Sequence, residues 1–244
     1  FETSVEFYGS REPYSDALFA AVADRLHLAG RERLIDLGCG PAQLALGPAP
    51  FVQEVVGVDI EPAMLELAHR NAEALGIALQ LVASRVEDLP SSIGNFELVT
   101  VGRALHWMDR AATLDVLDRI VAPSGHIAIC AATADSDVNR WVSAYRAVRQ
   151  AWTVETEEQR YRIDHDAWFA PSRFRRIDEL RLVSTRTVTV AEIVRRSLSM
   201  STTAPAVLGD RRSLYESEIA RAVSPFAHGG MLDEHVACTA AFFG

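Results

Sequence analysis

The chain has 244 residues, of which 49% are hydrophobic and 23% are charged, and its formal net charge is −9. These values are typical of a soluble globular protein that buries a substantial core in one large domain, or in a core domain carrying an insertion. Because an acidic surface repels phosphate backbones and anionic lipid, the charge argues against nucleic acid and membranes as partners.

The three cysteines, Cys39, Cys130 and Cys238, are odd in number and widely spaced. This pattern indicates neither a disulfide framework nor a zinc site. The sequence shows no signal-peptide pattern and no apolar stretch of bilayer length. We therefore expect a cytoplasmic protein without a bound metal ion.

In the first half of the chain, short apolar runs alternate with helical patterns. The runs have the length and composition of buried strands, and they are Leu34–Leu37, Val55–Val58, Leu79–Val82, Leu98–Val101 and Ile127–Ile129. Helical spacing or helix-end residues mark Ala17–Leu28, Pro62–Leu75 and Ala111–Val121. Gly76 is expected to end the second helix and Asp109 to cap the third. Alternation of this kind predicts a parallel sheet with helices on both faces.

The second half is mainly helical. We expect helices at about 138–152, 166–180, 191–200 and 211–222, and strands at Leu182–Val190 and Val236–Phe243. Together the two halves predict an α/β fold: a doubly wound, mostly parallel sheet of seven strands with a helical cover. The expected domain boundaries are 1–130 for the core with an N-terminal arm, 131–225 for the cover and 226–244 for a closing edge strand.

The first strand runs into a glycine-rich turn, RLIDLGCGPAQL at residues 33–44. Gly38 and Gly40 let the backbone turn tightly and approach a ligand, because no Cβ intervenes. The second strand ends at Asp59, nineteen residues after Gly40. Since the first two strands are neighbours in such sheets, the Asp59 carboxylate is expected beside the turn, where it can accept hydrogen bonds from ribose hydroxyls.

The turn lacks two features of phosphate-binding loops. Gln43 stands where a dinucleotide-binding turn has its third glycine, and no Walker lysine follows. Asp36, two residues before the first glycine, is a poor neighbour for a pyrophosphate. It suits a ligand with a positive end, and S-adenosylmethionine is a nucleoside with a sulfonium, an ammonium group and no phosphate.

At these positions the sequence resembles the class I S-adenosylmethionine-dependent methyltransferases. The resemblance covers residues 5–130 well, and its motifs are LIDLGCGPAQLA (34–45), VVGVDIEPAMLELA (55–68), SRVEDLP (84–90), FELVTVGRALHWMD (96–109) and LDRIVAPSGHIAI (117–129). The segment SLSMSTTAPAVLGDRR (197–212) is similar to small-molecule methyltransferases of the type-11 kind. The resemblance implies a Rossmann-like fold with S-adenosylmethionine as cofactor.

It also implies contacts for residues of the first two strands. Asp36, Gly38 and Gly40 would line the methionine moiety of the cofactor. Asp59 would hold the ribose. Gln43 in place of a third glycine is a common variation of the family, so it counts against a dinucleotide and hardly against this cofactor.

The resemblance places further residues near the adenine. Ile60 and Met64 would flank the adenine or the ribose. Val86 would reach the adenine, with Glu87 beside it. Arg85 occupies a position where the family often has an acid for the adenine amine, so that contact would fall to backbone groups.

The resemblance places two further residues near the reacting end of the cofactor. Arg103, at the end of the fourth strand, would face the sulfonium and the acceptor. Tyr14 belongs to an N-terminal arm that folds over the cofactor in similar proteins. Aromatic residues are candidates for the acceptor pocket, with packing in the cover as their alternative role, and those assigned to the acceptor are Trp107, Trp141, Tyr145 and Trp168.

His106 is the candidate catalytic base. It follows the fourth strand at the carboxyl edge of the sheet, where ligands bind, and an imidazole accepts a proton near neutral pH. A base is needed only when the acceptor must lose a proton, as a hydroxyl does. The alternative is that His106 and Trp107 form a structural pair that shapes the cofactor pocket. His165 with Asp166 is a second candidate base, or simply the start of a helix.

The sequence thus predicts methyl transfer from S-adenosylmethionine to a small organic acceptor, either a secondary metabolite or a related carboxylic or phenolic compound, with a protein side chain as the alternative acceptor. O-methylation is favoured over N- or C-methylation because of His106. Two rival functions are an NAD-dependent oxidoreductase and a non-catalytic S-adenosylmethionine-binding protein. The sequence does not indicate an oligomeric state.

Overall fold

A computed structural model describes residues 5–153 and 163–244. Its strands are β1 (Arg33–Leu37), β2 (Glu54–Asp59), β3 (Gln80–Ala83), β4 (Phe96–Gly102), β5 (Val121–Ala134), β6 (Arg176–Thr189) and β7 (Met231–Phe243). Its α-helices are α1 (Val5–Tyr8), α2 (Asp16–Arg25), α3 (Gln43–Leu46), α4 (Pro62–Leu75), α5 (Arg110–Ile120), α6 (Val142–Trp152), α7 (His165–Phe169), α8 (Val190–Ser197), α9 (Pro205–Leu208) and α10 (Arg212–Val223). Within the two described ranges, no helix combines the length and the apolarity that a bilayer span requires.

The seven strands form one sheet in the order β3-β2-β1-β4-β5-β7-β6. The pairs β2–β3, β1–β2, β1–β4 and β4–β5 are parallel. The strand order reverses between β1 and β4, and the crevice at the carboxyl ends of two such strands is where open α/β sheets bind ligands. The predicted fold, a Rossmann-like and mostly parallel seven-stranded sheet, is confirmed.

The described residues divide into two compact units. The sheet unit comprises residues 14–131, 163–182 and 238–244, and the helical unit comprises residues 5–13, 132–153 and 183–237. Each unit has its own hydrophobic core, built around β1 and β4 in the first and around helices α6, α8 and α10 in the second. The domain boundaries predicted after residues 130 and 225 stay a prediction.

Local sequence signals account for the ends of two helices in the sheet unit. Helix α4 begins with Pro62 and ends at Gly76, which adopts a left-handed conformation with φ of 66°. Helix α5 begins after Asp109, whose side chain accepts a hydrogen bond from the Ala112 N–H at 2.9 Å. Both ends lie where the sequence predicted them, because a left-handed C-cap and a side-chain N-cap are local interactions.

The helix predicted at 166–180 is wrong. Helix α7 already ends at Phe169, and β6 begins at Arg176. Strand β6 is the last strand in the sheet order, and its residues alternate between exposed and half-buried over most of its length. An edge strand has no continuous apolar run, so its period of two is easily hidden by polar residues on the exposed side.

Candidate functional site

The turn after β1 has a backbone that only small residues allow. Gly38 and Gly40 have positive φ angles of 69° and 52°. A Cβ on Gly38 would overlap the Cβ of Ala104, which follows β4. Glycine at position 38 therefore serves both the left-handed conformation and the close approach of the β4 loop.

Asp59, at the end of β2, fixes this turn. Its Oδ2 accepts a hydrogen bond from the Gly40 N–H at 2.8 Å, and its Oδ1 accepts one from the Glu61 N–H at 2.9 Å. An ionised carboxylate has about four lone-pair directions. Two backbone contacts leave capacity for the hydroxyl groups of a ribose, so the geometry fits the predicted role.

Asp36 lies on β1, opposite Thr100 of β4 in the strand register. It is 1% exposed, and its Oδ1 accepts a hydrogen bond from the Thr100 hydroxyl at 2.8 Å. The pKa of Asp36 is raised from 3.8 to about 7, chiefly by burial. The Asp59 carboxylate contributes to this rise, and hydrogen bonds from the Thr100 hydroxyl and the Ala45 N–H oppose it. A cation bound nearby would favour the ionised form. The predicted contact of Asp36 with the methionine moiety stays a prediction.

The segment after β4 brings Arg103 and Tyr14 together in the sheet unit. The Arg103 guanidinium carbon lies 5.0 Å from the centroid of the Tyr14 ring. The Tyr14 hydroxyl donates to the Cys130 carbonyl at 3.4 Å. Arg103 has a φ of 58°, which is unusual for a residue with a side chain. Such strain is concentrated at functional sites, which supports the expectation that Arg103 faces a ligand.

His106 and Trp107 lie in a single 3-10 turn, Leu105–Trp107, that follows the carboxyl end of β4. Their ring centroids are 4.8 Å apart at an interplanar angle of 47°. Trp107 is 44% exposed. In this arrangement His106 can act as a base or can form part of the pocket wall. Both interpretations stay predictions.

The three apolar residues predicted near the adenine differ in exposure. Ile60, directly after Asp59, is 65% exposed, which is unusual for a large aliphatic residue. Its side chain is available to a flat ring. Met64 on α4 and Val86 after β3 are both buried, so they contribute to the packing beneath the loops.

Arg85 and Glu87 form a contact beside β3. The Glu87 Oε1 accepts a hydrogen bond from the Asp109 N–H at 2.7 Å, and its Oε2 accepts one from the Arg85 Nε at 3.3 Å. Burial opposes ionisation, but these bonds lower the pKa of Glu87. Glu87 thereby ties the turn after β3 to the start of α5. The Arg85 side chain is exposed.

The aromatic residues assigned to the acceptor do not form one group. Trp141 and Tyr145 belong to the core of the helical unit, and Trp168 belongs to the core of the sheet unit. In the sheet unit, Arg110 donates hydrogen bonds to the carbonyl groups of Ala167 and Trp168. Core packing accounts for the burial of all three rings, and their contact with an acceptor stays a prediction.

The cysteines do not add a reactive group. All three are buried and free of disulfides. Burial raises the pKa of the Cys39 and Cys130 thiols, and thiolate is the reactive form. Across the described ranges, no group of three His, Cys, Asp or Glu side chains is arranged to hold a metal ion.

Two residues of this site were missed from the sequence. Thr100 donates to Asp36, and the Asn71 Nδ2 on α4 donates to the Pro41 carbonyl at 2.9 Å, which anchors the turn. Thr100 carries a signal, since it is a polar residue inside an apolar strand. Asn71 carries none, because its position on α4 becomes relevant only when the helix packs near the turn.

A protein-family model and several curated proteins match part of this chain. The family profile described as "Methyltransferase domain" matches residues 35–129. The chain is 35% identical over 102 residues to the demethylmenaquinone methyltransferase of Thermus thermophilus, which is 40% of this chain and 46% of that protein. It is also 35% identical over 102 residues to the ubiquinone biosynthesis O-methyltransferase of Alkalilimnicola ehrlichii, covering 41% of each protein.

Among solved structures, the fold is similar to that of an S-adenosylmethionine-dependent methyltransferase from Thiobacillus denitrificans, which was solved in complex with S-adenosyl-L-homocysteine. The TM-score is 0.59 at 16% identity, over 99% of this chain and 96% of that one. The chain spans less than half the length of the two curated relatives. The family match at residues 35–129 nevertheless contains most of β1, all of β2 to β4 and the glycine turn. Residues 35–129 therefore match a methyltransferase domain, whose cofactor is S-adenosylmethionine.

Proposed function

We propose that this protein transfers a methyl group from S-adenosylmethionine to a small organic acceptor. The observation that carries the proposal is the turn after β1, in which the Asp59 carboxylate accepts the Gly40 N–H at 2.8 Å and Asp36 lies on the strand before it. Two carboxyl groups suit a positively charged nucleoside and repel a diphosphate. When bound, the cofactor supplies the electrophilic methyl group and its leaving group.

Several residues of the sheet unit would hold this cofactor. Asp59 would accept hydrogen bonds from the ribose, and the exposed Ile60 would pack on the adenine. Gly38 and Gly40 would bring the backbone close to the methionine moiety. Asp36 would act through its charge, because its buried carboxyl has little surface to offer for direct contact.

Arg103 and His106 would act on the acceptor. A guanidinium at the end of β4 favours an acceptor oxygen with negative charge, such as a carboxylate or a phenolate. His106 would take the proton of a neutral hydroxyl. One matched relative is named as an O-methyltransferase, which supports oxygen as the methylated atom.

The first experiment tests the cofactor. Replacing Asp59 with alanine should weaken S-adenosylmethionine binding by about 1–3 kcal/mol, because hydrogen bonds to a charged acceptor are lost. Isothermal titration calorimetry with S-adenosylmethionine and with NAD measures this directly. Asp115→Ala, which removes an exposed carboxylate on α5, serves as the control and should leave the affinity unchanged.

The outcomes separate the competing functions. Tight binding of NAD with no binding of S-adenosylmethionine would establish the oxidoreductase instead. Tight cofactor binding with no transfer of a labelled methyl group to any of a broad panel of carboxylic and phenolic compounds would favour a non-catalytic binding protein. Methyl transfer to one of these compounds confirms the proposal.

A further inference from the structure

Trp141 and Tyr145 of the helical unit each carry a buried hydrogen-bond donor with no partner among the described residues. The Trp141 Nε1 and the Tyr145 hydroxyl are inaccessible to solvent and contact no acceptor among the residues that the structure describes. The side chains are 3% and 5% exposed. Buried polar groups are nearly always paired in folded proteins, so each exception requires an explanation.

These two donors are neighbours. Tyr145 follows Trp141 by one helical turn, and its backbone N–H donates to the Trp141 carbonyl at 3.0 Å. The two rings make an edge-to-face contact with their centroids 5.9 Å apart. Side chains four residues apart lie on the same face of a helix, so one ligand can approach both rings from the same side.

Of the charged groups near these rings, Arg149 has its guanidinium carbon 5.4 Å from the Tyr145 ring centroid, whereas Arg196, Glu12 and Glu234 are paired with one another. Arg196 is fully buried, and its guanidinium donates to Glu12 at 3.0 Å, to Glu234 and to the Ser10 carbonyl at 2.9 Å. Arg186 donates to Glu234 at 2.8 Å. The carboxylates of this network are already engaged by guanidinium groups.

The chemistry of the two donors limits what can bind them. An indole N–H donates and cannot accept. Burial raises the pKa of Tyr145, so its hydroxyl keeps its proton at neutral pH. The surrounding core is apolar and includes Phe7 and Ile193. A partner of both donors has to present lone pairs, which excludes an ammonium group, and the apolar neighbours favour an otherwise apolar body.

We propose that the Trp141 indole and the Tyr145 hydroxyl bind a carboxylate or carbonyl oxygen of an otherwise apolar ligand. This site lies within the helical unit and is independent of the cofactor site proposed in the sheet unit.

The test is a titration of the full chain without cofactor, followed by the indole N–H signals in a proton–nitrogen NMR spectrum. Trp141→Phe identifies the Trp141 signal. Benzoate, benzamide and toluene are the probes, because they share a ring and differ in the oxygen. We expect benzoate or benzamide to shift the Trp141 signal downfield and toluene to leave it in place. Tyr145→Phe should weaken the affinity for the probe that causes the shift by about three- to tenfold.

Thr113→Val is the matched control. The Thr113 hydroxyl on α5 of the sheet unit is likewise buried and without a partner among the described residues, so its removal should not change the titration. The proposal fails if neither oxygen-bearing probe moves the Trp141 signal, or if toluene moves it equally. Since no cofactor is present, this failure would leave the calorimetric test at Asp59 unaffected.

Discussion

The two units bury carboxyl groups in different ways. In the sheet unit, Asp36 is surrounded by a hydroxyl and a backbone N–H, and its pKa is raised to about 7 by burial. In the helical unit, the fully buried Glu234 is bound by the guanidinium groups of Arg196 and Arg186. The first carboxyl can respond to an arriving cation, whereas the second is already neutralised by the protein and serves to hold segments together.

The two units also differ in where backbone strain lies. In the sheet unit, Ala42 and Arg103 adopt positive φ angles on the two loops that flank the β1–β4 crevice. The helical unit instead places Trp141 and Tyr145, whose donors have no partner among the described residues, inside an aromatic core. The strained backbone of the sheet unit lies where we propose that the cofactor binds, and the helical unit offers side-chain donors to a ligand whose class we infer from chemistry.

The largest expected effect comes from breaking the ion network of the helical unit. Glu234→Gln removes the charge facing Arg196, and we expect a loss of about 3 kcal/mol in the free energy of unfolding, because a buried charge is left without full compensation. Urea denaturation measures this value. Equal stability to the wild type would show that the network is not structural.

Glu54→Gln is the matched substitution in the sheet unit. Glu54 pairs with Arg33 at 2.7 Å, but both side chains are partly exposed. Solvent screening should therefore limit the loss to less than about 1 kcal/mol. A loss as large as that of Glu234→Gln would contradict the contrast between the two units.

An intermediate effect is expected at the turn after β1. Gly38→Ala combines a positive φ with overlap against Ala104, and we expect it to cost about 2 kcal/mol of stability and at least about tenfold in cofactor affinity. Gly76→Ala isolates the conformational part, since Gly76 has a φ of 66° and nothing within 4 Å of its added Cβ. It should cost about 1 kcal/mol and leave the cofactor affinity unchanged. Thermal unfolding and calorimetry distinguish the two variants.

The smallest effect concerns pH. Because a bound cation favours ionised Asp36, the affinity for S-adenosylmethionine should increase by about three- to tenfold as the pH rises from 6 to 8, through the Asp36 pKa of about 7. Calorimetry at several pH values measures this change. Asp36→Asn should abolish it, and Thr100→Val should move it to higher pH by removing a hydrogen bond to the carboxylate.

Whereas the cofactor affinity should increase with pH, the stability of the ligand-free protein should decrease with pH. The unfolded chain ionises Asp36 near pH 3.8, whereas the native protein keeps the proton up to about pH 7. The contribution of Asp36 to the free energy of unfolding therefore falls as the pH rises between these values, and stays constant above them. A pH-independent difference between the wild type and Asp36→Asn would contradict the raised pKa.

The glycine turn and the acid at the end of β2 were predictable because their signals are local. Each depends on a few adjacent residues and on the rule that the first two parallel strands are neighbours. The caps of α4 and α5 were predictable for the same reason. The extent of α7 and β6 was not, because whether 170–180 is helix or strand depends on a partner strand that lies far away in sequence.

The side-chain environment of the site could not be predicted from the sequence either. Nothing in the sequence pairs Thr100 with Asp36 or Asn71 with the Pro41 carbonyl. The four aromatic residues assigned to one pocket lie in two different units, with Trp107 and Trp168 in one and Trp141 and Tyr145 in the other. Hydrophobic character indicated that Trp141, Tyr145 and Trp168 would be buried, but not which core would bury each of them.

The sequence by itself determined the order of strands and helices, the glycine turn and the identity of the acid beside it, because backbone conformation and hydrophobic periodicity are set by near neighbours in the chain. Only the tertiary structure decided how strongly Asp36 holds its proton, that Arg196 is enclosed by two glutamates, and that Trp141 and Tyr145 meet no acceptor within 5–153 and 163–244. These properties depend on burial and on contacts between residues up to 186 positions apart, which no local pattern encodes.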